Sequence, residues 1–269
     1  MASHDTRWTL PDLPSAVHWC ATRNEQGIRC IVDVLGEYAR KADQATDSVD
    51  AYMSAARTID EHGLNASLTV KLSALGALFD QQQCRANVRA IAEETARRNI
   101  GFEIDMEVPN LIEYTIDVTR ACARQGRTVT VALQAYMDRT RDDLVRICTE
   151  GGTARVVKGA YMGTIRDFGA IQQRFKALID LLYAEKVFFA VGTHDPELLA
   201  WMMTRMEARK DMVEFGFLKG LADQTKTAMV NDGWRVSEYV PFGEHAAGYE
   251  TRRRQYLRSL EVLHRAPVP

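Results

Sequence analysis

Residues 101–134 read GFEIDMEVPNLIEYTIDVTRACARQGRTVTVALQ, and their pattern decides the fold. A short apolar run, Gly101–Met106, is followed by a segment of helical period. Gly126 sits where a helix must stop, and a second run, Thr128–Leu133, follows. Strand, helix, strand in this order is the unit of a parallel sheet. Working outward, the alternation recurs. Ile28–Val34 and Leu68–Leu72 precede this stretch; Ala154–Val157, Val187–Val191, Met212–Phe215 and Arg235–Val240 follow it. The eight runs hold four to seven residues each, the length of buried parallel strands. Between them, Val49, Met53, Ala56 and Ile59 share one helical face, as do Ile171, Phe175, Leu178, Ile179 and Leu182. Asp195-Pro196-Glu197 reads as cap, first-turn proline and acidic first turn, and Gly63 as a helix stop.

Eight units point to a single closed α/β barrel of (β/α)₈, TIM-like type. The alternative is an open doubly wound sheet. No G-x-G-x-x-G follows any strand, so a dinucleotide turn has no support. Residues 1–27 read as an N-terminal arm with a mildly amphipathic stretch, Pro14 to Arg23, and 28–265 as the barrel. Apolar residues make up 46% and charged ones 26% of the 269, an ordinary globular balance with a net charge of −2. That charge gives no footing to nucleic acid or an anionic membrane surface. The five cysteines form no C-x-x-C pair, which favours a reducing compartment. Met1 to Thr9 lacks the apolar core of a signal peptide, and no run approaches the ~20 residues that span a bilayer. The expected setting is the cytoplasm, with at most peripheral contact at the inner membrane face. No metal is expected.

In such a barrel the chemistry sits at the C-terminal strand ends. Polar residues gather there: Glu37, Lys71, Asp105, Glu107, Gln134, Arg155, Lys158, Thr193, His194 and Tyr239. Each has a plainer explanation. Lys71 or Asp105 alone fits a structural ion pair, His194 a helix-start histidine, Glu107 a solvent-facing side chain, and Arg155 a side chain turned outward against a helix. The ordered set around one rim carries the weight, because a buried charge must be paired or serve a ligand. The last unit, Tyr239-Val-Pro-Phe-Gly-Glu to Tyr249-Glu-Thr-Arg252-Arg253-Arg254, reads as a loop opening a final helix. The arginines near that helix start form either an anion clamp or a solvated basic turn.

These motifs resemble the proline dehydrogenase family. The resemblance rests on Leu35-Gly36-Glu37, Lys71-Leu-Ser-Ala-Leu, Ile104-Asp105-Met-Glu107, Leu133-Gln134-Ala-Tyr136, Arg155-Val-Val-Lys158-Gly-Ala-Tyr161, Thr193-His194-Asp195, Glu214-Phe215 and Tyr239…Arg253. It implies a distorted barrel holding FAD and oxidising L-proline or a related cyclic imino acid by hydride transfer. It also implies an electron acceptor, whether quinone, another flavin or oxygen, that these residues leave open. By resemblance, Arg252, Arg253 and Lys71 would bind the substrate carboxylate, and Glu37 would hold Arg252. Tyr239 and Tyr249 would pack on the ring, and Asp105 would sit near Lys71 and the amine. Arg155 would lie near the flavin N5. Gln134, Lys158, Gly159, Ala160, Tyr161, Thr193 and His194 would contact the flavin. The chain departs from the family pattern at Gly216, where Gln is usual, and at Lys219, Met162, Tyr256 and the stretch 163–172. Two other readings are a Schiff-base barrel using Lys71 or Lys158 and an imino-acid-binding homologue without flavin.

Overall fold

The fold was analysed in a computed structural model that describes residues 7–158, 163–262 and 266–269. Eight strands close a barrel, each parallel to the next and the last to the first. They are β1 (Arg29–Val34), β2 (Ala66–Val70), β3 (Gly101–Ile104), β4 (Val129–Gln134), β5 (Thr153–Val157), β6 (Phe189–Gly192), β7 (Val213–Leu218) and β8 (Arg235–Phe242). The helices are α1 (Leu13–Glu25), α2 (Ala42–Glu61), α3 (Gln81–Arg97), α4 (Ile112–Arg124), α5 (Thr140–Thr149), α6 (Phe168–Glu185), α7 (Pro196–Met206), α8 (Asp223–Asn231) and α9 (Ala246–Val262). The closed barrel excludes the open-sheet alternative.

The helix signals act as read. Gly63 and Gly126 take the left-handed conformation just past α2 and α4, where a side chain would be strained. Asp195 caps α7 by accepting from the Glu197 amide at 3.0 Å. Phe175, Leu178, Ile179 and Leu182 are buried along α6. Strand ends differ from the expected runs because hydrogen-bond partners extend them. β7 continues to Leu218, which pairs with Tyr239. β8 passes through Pro241, which as a residue without N–H signals a strand end. Its carbonyl instead accepts the Leu10 amide at 2.9 Å, so the arm adds a short bridge beside β8.

Inside the barrel, the odd-numbered strands contribute Arg29, Glu103, Arg155 and Glu214 to one layer. Arg155 Nη2 lies 2.9 Å from Glu103 and 3.2 Å from Glu214; Arg29 Nη1 lies 3.5 Å and 3.3 Å from the same two carboxylates. Alternate strands fill a barrel in such layers of four. Here the layer is ionic and neutral, two arginines against two glutamates.

On the outer side of β8, Glu238 is fully buried. It accepts from Trp19 at 2.6 Å and from Arg23 at 3.3 Å, both on α1, and pairs with the buried Lys226 of α8. One carboxylate therefore ties α1 and α8 to the barrel. Replacing Glu238 with Ala leaves the buried Lys226 ammonium with Asp223, 2.9 Å away, as its remaining carboxylate among the described residues. Unfolding in urea should show a loss of roughly 3 kcal/mol, the low end for a broken buried pair.

Candidate active site

A cavity opens at the C-terminal ends of the strands and encloses, with its mouth, about 1190 Å³ of atom-free space. Lys71, Asp105, Gln134, Arg155, Lys158, Thr193, His194, Tyr239, Tyr249, Arg252 and Arg253 all line it. Glu37 stands behind Arg252. Gly159, Ala160 and Tyr161, with Met162, lie outside the described residues.

Arg155 points inward, not outward against a helix. Both its carboxylate partners lie in the ionic layer, and its Nη1 is buried with no hydrogen-bond partner among the described residues. A Cβ at Gly216 would stand 2.5 Å from that Nη1. The missing side chain at 216 is thus the room the guanidinium occupies. Glu107 is likewise buried, contrary to a solvent-facing side chain, and accepts from the Ser73 amide at 2.9 Å.

Lys71 is the centre of a second cluster. Its Nζ donates to Asp33 at 2.5 Å and to the Tyr239 hydroxyl at 3.0 Å, and lies within ion-pair distance of Asp105 at 3.1 Å. The Tyr239 hydroxyl donates to Asp105 at 2.6 Å. Burial opposes charge on Lys71, but Asp33 and Asp105 outweigh it and hold the ammonium protonated. Burial also pushes the Asp33 carboxyl up, against the pull of Lys71. Tyr239 and Tyr249 are stacked, with ring planes 3° apart and centroids 6.3 Å apart.

The two clamp arginines differ. Arg252 pairs with Glu37, Nη1 to Oε2 at 3.1 Å with a second, shorter contact. Arg253 is buried, donates to the Tyr249 hydroxyl at 3.1 Å, and has no carboxylate within 4 Å among the described residues. Its Nε has no hydrogen-bond partner among them. Both arginines lie in the second turn of α9, which starts at Ala246.

On the opposite wall, His194 is buried and its Nε2 accepts the Leu218 amide at 3.1 Å. Burial, with help from the Arg253 and Lys226 charges, pushes its pKa down to about 3, so the ring is neutral. Lys158 pairs with Asp195 at 2.7 Å and lies over the Phe168 ring. Asp195 also accepts from Gln172 at 2.8 Å, so the unfamiliar stretch 163–172 ends in a contact to the Lys158 partner. Lys219 turns away from the cavity; it is buried over Trp19 and donates to the Arg7 carbonyl at 3.0 Å. Tyr256 lines the cavity beside His194.

Sequence reasoning missed Asp33, Glu103 and Ser73. A signal existed for the first two. Each is a lone charge or polar group in an apolar run, spaced evenly from other inward positions, Asp33 from Ile31 and Glu103 from Asp105. Ser73 carries no such signal, because its role depends on a loop 35 residues away.

The sequence profile of the family described as Proline dehydrogenase matches residues 16–257. The chain is 27% identical over 248 residues to Proline dehydrogenase 1 of Bacillus subtilis, covering 90% of this chain and 82% of that protein. It is 24% identical over 253 residues to the proline dehydrogenase of Deinococcus radiodurans, with the same coverage. The structure of proline utilization A from Bdellovibrio bacteriovorus superimposes with a TM-score of 0.83 at 18% identity, covering 92% of this chain and 32% of that one. The chain thus spans about a third of that larger protein, and this likeness shows the barrel alone. The chain belongs to the proline dehydrogenase family and is an oxidoreductase acting on proline. Membership implies a flavin cofactor. Among the described residues, no helix is long and apolar enough to cross a membrane.

The neutral His194 has a pH signature. Above its unfolded value of 6.5 it is neutral in both states and contributes nothing to the pH dependence. Between 6.5 and about 3 the unfolded chain takes up a proton that the folded chain refuses. Stability should then fall as pH drops, by at most about 1.4 kcal/mol per unit from this group. Thermal unfolding at pH 7 and pH 5 should show this increment in the native protein and lose it in His194→Gln.

Proposed function

We propose that this cavity oxidises L-proline, or a closely related cyclic imino acid, to the pyrroline-5-carboxylate-type imine with FAD as cofactor. The observation that carries the reading is Arg253, a buried guanidinium facing the cavity with no carboxylate partner among the described residues. A charge left in that state calls for an anion, and a guanidinium fork suits a carboxylate.

The residues present fit a flavin. The buried Arg155 Nη1 without a partner offers a hydrogen bond to a polar ring edge, and Gly216 leaves the space for it. FAD supplies the acceptor for the hydride leaving the carbon next to the ring nitrogen. In this reading Arg155 lies beside the flavin N5, and its two glutamates hold its position. Gln134, Lys158, Thr193 and His194 hold the flavin, joined by Gly159, Ala160 and Tyr161.

On the substrate side, Arg253, Arg252 and Lys71 take the carboxylate. Glu37 keeps Arg252 in place. Tyr239 and Tyr249 confine the ring, which leaves the amine in one orientation and lowers the entropic part of the barrier. Asp105 is the carboxylate near the amine. Substrate must bind as a free amine, or lose its ammonium proton in the site, before hydride leaves, and a dry site holding the Arg253 charge disfavours the ammonium form. The catalytic unit is residues 28–265, working in the cytoplasm with at most peripheral membrane contact.

A Schiff base on Lys71 is disfavoured by this geometry. Lys71 is held protonated by two carboxylates, which removes the lone pair a nucleophilic lysine needs.

Protein reconstituted with FAD should be yellow and bleach anaerobically on adding L-proline; a colourless protein would refute the assignment. Arg253→Met should retain the flavin spectrum but lower kcat/KM for proline roughly 100-fold, mainly through KM. Steady-state kinetics with an artificial electron acceptor provides the measurement.

A further inference from the structure

The loop carrying Glu37 spans residues 35–41, between β1 and α2, and has no regular secondary structure. At its start the Leu35 amide donates to the Phe242 carbonyl at 2.8 Å. Beyond Glu37 the backbone makes an unfavourable turn: Tyr38, a residue with a full side chain, sits at φ 60. Its side chain is 38% exposed, so burial does little to hold it there. One residue meets the backbone at Tyr38 and Ala39, while the next amide, of Arg40, donates to Gln44 Oε1 at 2.8 Å. The Tyr38 amide donates to Ser73 Oγ at 3.1 Å, and the Ala39 amide donates to the Ser73 carbonyl at 3.0 Å.

Ser73 is fully buried, and its orientation is set from the other side. Its amide and its hydroxyl both donate to Glu107, one to each carboxylate oxygen. With the hydroxyl hydrogen committed to Glu107, the serine oxygen is left as an acceptor, which is what the Tyr38 amide requires. Ser73 also lies two residues after Lys71, on the short 3₁₀ turn that follows it, Leu72–Leu75. The turn that directly follows the lysine of the proposed substrate site therefore also fixes the loop that presents Glu37 to Arg252.

We propose that Ser73 and Glu107 are positioning residues for the substrate clamp, acting by holding the loop 35–41 in the one conformation that brings Glu37 against Arg252. The inference rests on the carboxylate-clamp reading given above. Neither residue need touch the substrate for this role. Glu107 orients Ser73, Ser73 holds the Tyr38 turn, the turn places Glu37, and Glu37 fixes the guanidinium. The direction of each hydrogen bond matters, so filling the same volume is not enough. Glu107→Gln keeps the shape but sets an amide donor against one of the two Ser73 donors.

The test compares Ser73→Ala, Glu107→Gln, Glu37→Gln and the Ser73→Ala/Glu37→Gln pair in FAD-loaded protein, reading KM for L-proline, kcat and flavin content. Ser73→Ala and Glu107→Gln should each raise KM about fivefold or more with a smaller change in kcat, the scale of one hydrogen bond. The double variant should be no worse than Glu37→Gln alone, since both act through one ion pair. Losses that multiply in the double variant overturn the relay, because Ser73 would then act by another route. Normal KM in Ser73→Ala and Glu107→Gln with a raised KM in Glu37→Gln overturns the relay and leaves the clamp standing. An unchanged KM in Glu37→Gln overturns both. Amide exchange on the unmodified protein gives a check that needs no variant: Tyr38 and Ala39 should be protected, and free exchange at both contradicts the proposal.

Discussion

Two arginines and two glutamates inside a closed barrel form the constraint from which the rest of this molecule follows. Desolvating a single one of these charges costs several kcal/mol, and the barrel wall leaves no path to water except through its ends. Arg29, Glu103, Arg155 and Glu214 satisfy one another across four alternate strands. Ser67 adds a hydrogen bond to Glu103 at 2.6 Å. This network fixes where Arg155 ends, and it leaves one Nη1 buried beside Gly216 with no hydrogen-bond partner among the described residues. A floor made of leucine and valine would pack as well but would present nothing to a polar ring. The apolar core around the barrel supplies the bulk of the stability, and the ionic layer supplies the orientation.

The same logic runs up the cavity wall. Lys71 is shared by Asp33, Asp105 and Tyr239, Arg252 faces Glu37, and Lys158 faces Asp195. Against this background the position of Arg253 is informative. Its neighbours are the Tyr249 hydroxyl and aromatic faces, and its charge weighs on His194 strongly enough to help keep that ring neutral. The cations that line the cavity are thus held in place by their neighbours before any ligand enters.

The places where the chain departs from its family have physical consequences that fall in different parts of the molecule. Gly216 gives its space to Arg155. Lys219 serves the N-terminal arm, stacking on Trp19 and holding the Arg7 carbonyl. Tyr256 joins the aromatic surroundings of Arg253. The residues at 216 and 256 therefore each adjoin one of the two buried arginines that line the cavity, Arg155 and Arg253.

Much of this was legible along the chain. The alternation of short β-branched runs with helical segments reports a parallel barrel, because both periods arise from burial of one face and are local. The strand-end positions of Lys71, Asp105 and His194 follow from the same reading, since a strand end is a property of the chain, whereas Arg155 proves to lie in the middle of β5, one layer below the rim. What the linear order does not contain is which charges cancel. Asp33 and Lys71 are 38 positions apart, and Arg155 and Glu214 are 59. Only barrel closure and strand register bring them within hydrogen-bond distance. For the same reason the sequence displays Arg252 and Arg253 as a matched pair, while the tertiary structure alone decides that one meets a glutamate and the other, among the described residues, a tyrosine hydroxyl and aromatic faces.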